Sequence, residues 1–119
     1  EVTKSLSMTQ IPLSPAYIYG LINLRGQIAT AIGLRDLFEL ESESNPSESM
    51  NVVCKGEGLL LSLLVDRIGD VLEVEDSLFE PTPDTLPNSV SRFMDGVYKI
   101  PGSLLSILDI NKIIEVLHK

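Results

Sequence analysis

Apolar and polar positions alternate through residues 21–34, and this alternation predicts two β-strands joined by a tight turn at Arg25-Gly26. Gly26 supplies the positive φ that such a turn often requires. On the inward face of these strands we expect the larger side chains, which are Ile22, Leu24, Ile28, Thr30, Ile32 and Leu34. The other face then carries Asn23, Arg25, Gln27, Ala29, Ala31 and Gly33.

The same reasoning places further elements along the chain. The stretch SPAYIYG, residues 14–20, predicts one short helical turn with Ser14 as cap and Pro15 at its first position. Short helices are expected at RDLFEL, residues 35–40, and at INKIIEVL, residues 110–117. A second hairpin is predicted over residues 50–74, with its turn at Gly56 and Gly58, and its last part, VDRIGDVLEV, has the composition of a strand. From their composition, residues 41–49 are expected to form an acidic solvated loop, and residues 80–89 a proline-broken loop.

The last third of the chain repeats the pattern of the first hairpin. Residues 20–38, moved forward by 76 positions, lie over residues 96–114, so that Gly20 meets Gly96 and Gly26 meets Gly102. Each copy reads as strand, glycine turn, strand and helix. We therefore expect one domain over residues 1–119 that contains two small β-barrels.

Composition narrows the classes of partner. A chain of 119 residues fits a single globular domain, and its 44% hydrophobic content is that of a folded protein. The net charge of −8 repels nucleic acid and anionic lipid, so proteins are the expected partners. No apolar run approaches the roughly 20 residues of a membrane span, and the single cysteine, Cys54, forms no internal disulfide. We expect a cytoplasmic protein that does not insert into the membrane.

Residues for catalysis or metal binding are scarce. His118 is the sole histidine, so a histidine dyad or a histidine metal site lacks its components. Cys54 is interpreted as a half-buried strand residue, and Asp66, Asp70 and Glu73 as a solvated face. The sequence therefore predicts neither a catalytic site, nor a metal site, nor a cofactor.

Two motifs carry a resemblance to a known family. SPAYIYGLINLRGQIATAIGLRDLF, followed by LLVDRIGDVLEV and EPTP, resembles the CheW-like domain family of chemotaxis coupling proteins and CheA kinases. The resemblance covers essentially the whole chain. It implies a mainly β fold of two intertwined five-stranded, SH3-like barrels. It also implies a non-catalytic adaptor that links the cytoplasmic tips of chemoreceptors to the regulatory domain of the histidine kinase CheA, in association with membrane receptor arrays.

The chain departs from the family pattern in two ways. Family members carry about thirty residues, two strands' worth, ahead of the position of Glu1. One barrel is therefore expected to be incomplete at its N-terminus, with an open strand edge that favours self-association. The family also has Asp where this chain has Gly33, whereas the second copy has Asp109 there, placed to cap the last helix.

Arg25 is the first candidate for binding. Its face continues over the small side chains at positions 29, 31 and 33 to Arg35, so two guanidinium groups flank a floor that would admit a close partner. The resemblance places Glu1, Gly20 and Arg25 at or near the receptor-contacting groove. The full receptor-binding set that we predict is Glu1, Gly20, Asn23, Arg25, Gly26 and Arg35. The resemblance further implies a kinase surface around residues 63–74, with Leu63, Val65, Asp66, Asp70 and Val71 as its candidates.

Two alternatives remain open at the level of sequence. Within the family, the alternative to a free-standing adaptor is the CheW-like regulatory domain of a CheA kinase, or of a coupling protein fused to a receiver. From another class, a small ligand-binding or enzymatic β-barrel would need a pocket with converging polar groups.

Overall fold

A computed structural model describes residues 2–4, 8–40 and 50–117 of the protein. It is mainly β with a few short helices, which confirms the predicted fold class. The chain divides into two compact units, Glu1–Gly69 and Asp70–Lys119. The acidic loop at 41–49 lies outside the described residues, as do Glu1 and His118.

The first unit is built on a five-stranded sheet in the order β1-β4-β5-β3-β2. Its strands are β1 (Val2–Lys4), β2 (Ile18–Leu24), β3 (Gln27–Gly33), β4 (Met50–Gly56) and β5 (Leu59–Val65). Neighbouring strands are antiparallel except β3 and β5, which run parallel. The short helix α1 (Leu34–Leu37) follows β3 directly. Both predicted hairpins are confirmed, with turns at Arg25-Gly26 and Glu57-Gly58.

The predicted facing of β3 is wrong. Ala29 and Ala31 are 0% exposed, whereas Ile28 is 59% exposed. The second half of β3 is buried on both faces, since Ile32 is also 0% exposed, and small side chains suit such a crowded position. The alanines are therefore part of the core and do not form the accessible floor that the sequence suggested.

The second unit contains a three-stranded antiparallel sheet. Its strands are β6 (Phe79–Glu80), β7 (Met94–Ile100) and β8 (Ser103–Leu108), with helices α2 (Asn88–Ser91) and α3 (Ile110–Leu117). Three strands are found where the resemblance implied five, and neither sheet closes into a barrel within the described residues. The predicted terminal helix is confirmed. Asp109 caps it, since its Oδ1 accepts a hydrogen bond from the backbone N–H of Asn111 at 2.9 Å.

Two expected elements form only in part or not at all within the described residues. At residues 14–20 a single hydrogen-bonded turn forms, in which the N–H of Ile18 donates to the carbonyl of Pro15 at 3.0 Å, and β2 begins at Ile18. Ser14 does not cap this turn, because its hydroxyl donates to the carbonyl of Ile11 at 2.8 Å. No strand forms over residues 66–75. A strand needs a neighbour for its backbone N–H and C=O groups, and within the described part of the chain this stretch pairs with none.

The two repeat segments share one irregularity at matching positions. The strand register shifts between Ile18 and Gly20 in β2, and between Met94 and Gly96 in β7. The φ angles of the two glycines are 151° and 159°. A Cβ at Gly20 would lie 2.5 Å from the carbonyl oxygen of Thr9, so only glycine fits there. The internal repeat stays a prediction, which this shared bulge supports.

Candidate functional site

The candidate receptor surface lies at the tip of the β2–β3 hairpin. Arg25 and Gly26 have φ angles of 53° and 84°, as the two central residues of a type I′ turn require. The side chain of Asn23 stabilises this turn, because its Oδ1 accepts a hydrogen bond from the N–H of Gly26 at 3.0 Å. Asn23 and Gly26 thus shape the turn, and the exposed side chain of Arg25 stands at its apex.

Arginine is not the residue that this turn geometry favours. The first position of a type I′ turn prefers Asn, Asp or Gly, and a left-handed backbone costs other residues about 1 kcal/mol. The β4–β5 turn places Glu57 in the same way, at φ 43°. In the second unit, the matching turn is Pro101-Gly102 with φ 80° at the glycine, which is typical of a type II turn and needs no strained residue.

Ile28 is a surface residue that the sequence reasoning missed. It pairs with Asn23 across the hairpin and lies three positions after Arg25. Its apolar side chain is exposed because Ile28 lies next to the hairpin tip, before the pairing of β3 with β5 begins at Thr30, whereas Ile32 on the same face is buried. The sequence itself indicates that the facing of β3 is ambiguous, since a strand with alanines on one face and isoleucines on the other can bury either face.

Arg35 and Asp66, predicted for two different surfaces, are joined to each other. Arg35 Nε donates to both carboxylate oxygens of Asp66, at 2.9 and 2.7 Å, and Nη2 lies 2.7 Å from Oδ2. The two side chains are 31% and 41% exposed. The hydrogen bond from Arg35 holds the pKa of the Asp66 carboxyl below its usual range. Neither charge is therefore free to serve one surface independently of the other.

Tyr19 explains why position 33 is glycine. A Cβ at Gly33 would lie 2.6 to 2.8 Å from three atoms at the hydroxyl end of the Tyr19 ring, so the ring occupies the space that a side chain would need. The Tyr19 hydroxyl donates a hydrogen bond to the carboxylate of Asp36 in α1. This bond, together with burial and the negative charge of Asp36, raises the pKa of Tyr19 to about 12. The ring also borders a cavity of about 570 Å³, lined by Met8, Gln10, Ile11, Ser14, Pro15, Ala16, Ile18 and Tyr19.

The remaining predicted residues differ in accessibility. Gly20 is buried at the β2 bulge, and Leu63 is buried in the sheet core, so both have structural reasons for their identity. Val65 is half-buried at the end of β5, and Asp70 is exposed. Val71 is 99% exposed, which is unusual for a large apolar side chain. The binding role of each of these residues stays a prediction.

Other chemistry in the described residues is limited. Cys54 is half-buried in β4, and burial raises the pKa of its thiol. Within residues 2–4, 8–40 and 50–117, no three acidic, histidine or cysteine side chains lie close enough together to hold a metal ion. None of the helices in the described part of the chain has the length and apolar character needed to cross a membrane.

Comparison with known proteins places the chain in a family. The sequence model of the family described as CheW-like domain matches residues 1–118 of this chain. Chemotaxis protein CheW of Helicobacter pylori is 26% identical over 97% of this chain and 69% of its own length, and that of Treponema pallidum is 30% identical over 95% and 69%. The crystal structure of the scaffolding protein TtCheW from Thermoanaerobacter tengcongensis has a TM-score of 0.82 at 29% identity, covering 92% of this chain and 74% of that one. This chain therefore belongs to the CheW-like domain family.

Proposed function

We propose that this protein is a non-catalytic adaptor of bacterial chemotaxis signalling, which couples chemoreceptors to the histidine kinase CheA in the cytoplasm. Family membership supports the adaptor role, because the relatives and the solved structure described above are chemotaxis and scaffolding proteins. They carry the name CheW and not that of a kinase, which favours a coupling protein over a regulatory domain of CheA.

The observation that carries the receptor proposal is the geometry of the β2–β3 tip. Arg25 stands at the apex of the hairpin, next to the exposed side chains of Asn23 and Ile28. Arginine is enriched in interface hot spots, because its guanidinium group binds carboxylates or helix-end carbonyls, and an apolar neighbour such as Ile28 helps to exclude water from that contact. We assign the receptor surface to this tip, with Gly26 and Asn23 as the residues that hold its shape.

The kinase surface is proposed at the end of β5 and the residues that follow. The accessible side chains there are those of Val65, Asp70 and Val71. Leu63 is buried in the core and contributes by supporting this surface. The neighbouring residues Val71 and Leu72 are exposed together, at 99% and 48%. They support this assignment, because groups of exposed apolar side chains mark protein–protein interaction sites.

Separate binding measurements test this function. The protein is titrated with a chemoreceptor cytoplasmic hairpin and, independently, with the regulatory domain of a CheA kinase, and each Kd is measured by calorimetry. The adaptor proposal expects binding to both probes. Binding to neither probe would refute it, and binding to the receptor hairpin alone would remove the kinase-coupling part.

A further inference from the structure

Arg35 and Asp66 connect the ends of two neighbouring parallel strands. The pairing of β3 with β5 runs up to Gly33 and Leu64, after which α1 begins on one side and Asp66 follows β5 on the other. The two side chains come from positions 31 residues apart in the sequence. Their ion pair therefore links the two chain segments where each leaves the sheet.

The ion pair has a well-defined geometry, although it contributes little to stability. Two nitrogens of one planar guanidinium group engage one carboxylate, which fixes the orientation of both groups. Because the two side chains are 31% and 41% exposed, water weakens their attraction, and such pairs contribute little to global stability. The pair is therefore suited to fixing the direction of the chain after β5, and it contributes little to the free energy of folding.

Asp66 is also the last residue of this region with a polar contact. Within the described part of the chain, residues 67–74 make no hydrogen bond and no ion pair. The direction in which residues 66–69 leave β5, including the exposed side chain of Ile68, therefore depends on the contact between Asp66 and Arg35.

We propose that Arg35 and Asp66 are positioning residues for kinase binding, whose ion pair orients residues 66–69 for contact with the kinase. This inference rests on the proposed function and changes the roles that the sequence suggested. Arg35 does not contact the receptor, and Asp66 acts through Arg35 and not through a charge on the kinase.

The test compares five variants with the wild type: Arg35→Ala, Asp66→Ala, Asp66→Asn, the exchange Arg35→Asp/Asp66→Arg, and Asp84→Ala. The Kd values for a CheA regulatory domain and for a receptor hairpin are measured by calorimetry, and thermal unfolding reports the fold. Asp66→Asn keeps the size of the side chain, so it replaces Asp66→Ala if the alanine variant unfolds. Asp84→Ala is the matched control, because it removes the same charge from an exposed residue that has no ion pair among the described residues and lies outside both proposed surfaces.

We expect the three single changes in the pair to weaken kinase binding about five- to tenfold, as for residues coupled in one network, and to leave receptor binding unchanged. The exchange variant should return to within about twofold of the wild type, and Asp84→Ala should stay within the same range, because orientation and not charge is required. A rescue of this kind would not follow from a direct contact between Asp66 and the kinase.

Three results would overturn the inference: kinase affinity unchanged in the single variants, no recovery in the exchange variant, or an equal loss in Asp84→Ala. A loss of receptor affinity in Arg35→Ala would likewise overturn it, because Arg35 would then contact the receptor. These outcomes differ from failure of the proposed function, in which the wild type itself binds neither probe.

Discussion

The substitution Arg25→Asn is expected to raise stability and lower receptor affinity at the same time. Arg25 has a φ of 53°, in the left-handed region. Asparagine tolerates this region because its short side chain forms local hydrogen bonds, and Asn-Gly is the preferred sequence of a type I′ turn. Replacing arginine therefore relieves backbone strain and removes the side chain that we assign to the receptor surface.

Both effects are large enough to measure. Relief of the left-handed penalty should stabilise the fold by about 0.5–1 kcal/mol, which corresponds to a Tm increase of about 2–6 °C for a domain of this size. Loss of an interface arginine should cost at least about 1 kcal/mol of binding, or about a fivefold higher Kd for the receptor hairpin.

Two further variants separate the causes. Arg25→Ala removes the side chain but keeps a residue that disfavours positive φ, so it should lose affinity with nearly unchanged stability. Glu57→Asn relieves the same kind of strain at the β4–β5 turn, where φ is 43°, and should gain stability with unchanged receptor affinity.

Thermal unfolding and calorimetric titration with a receptor hairpin provide the two readouts. If Arg25→Asn and Arg25→Ala bind the receptor as the wild type does, Arg25 is a turn residue and the receptor surface lies elsewhere. If neither asparagine variant is more stable than the wild type, the strain argument is refuted.

Three further predictions follow from other contacts. Gly33→Asp should destabilise the protein by about 1–3 kcal/mol in urea unfolding, because its Cβ would meet the Tyr19 ring, and adding Tyr19→Ser should restore most of the loss; additive effects of the two changes would contradict this. In an ultraviolet absorbance titration of the wild type, one tyrosine should titrate near pH 12. This transition should be missing from the Tyr19→Phe variant. The raised pKa of Tyr19 favours the neutral hydroxyl in the folded state, so the stabilisation is complete below about pH 10, the ordinary tyrosine value, and is lost as the pH rises toward 12. Light scattering should detect self-association of the 119-residue chain through an open strand edge, since β8 is an edge strand without charged side chains that exposes Leu104; a monodisperse monomer with amides protected from exchange in both units would contradict this.

Local pattern predicted the hairpins because their determinants are local. Alternation and a glycine at the turn located β2, β3, β4 and β5, and the capping chemistry of Asp109 located the start of α3. The same local information failed where a partner strand decides the outcome. Residues 65–74 have strand composition, yet composition supplies no neighbour, and the stretch beyond Val65 stays unpaired in the described structure.

The candidate site depended on contacts between residues far apart in the sequence. The sequence marked Gly33 only as a departure from the Asp of the family, whereas the structure shows a ring from β2 packed against it. Arg35 and Asp66 could not be paired from sequence, because their contact depends on the parallel arrangement of β3 and β5. Parallel neighbours are joined by long crossovers, so no turn signal reveals them.

The placement of the two proposed surfaces along β3 bears on how an adaptor works. The strand begins next to the Arg25 apex and ends next to α1, where Arg35 binds Asp66. Its seven residues span roughly 20 Å at the rise of a β-strand. Two proteins that bind at opposite ends of such a strand need not compete for the same side chains. Saturating amounts of a receptor hairpin should therefore leave the Kd for a CheA regulatory domain within about threefold of its value without receptor, since a larger change would require a coupling free energy near 1 kcal/mol through the strand. Mutual exclusion of the two probes would show instead that the proposed surfaces overlap.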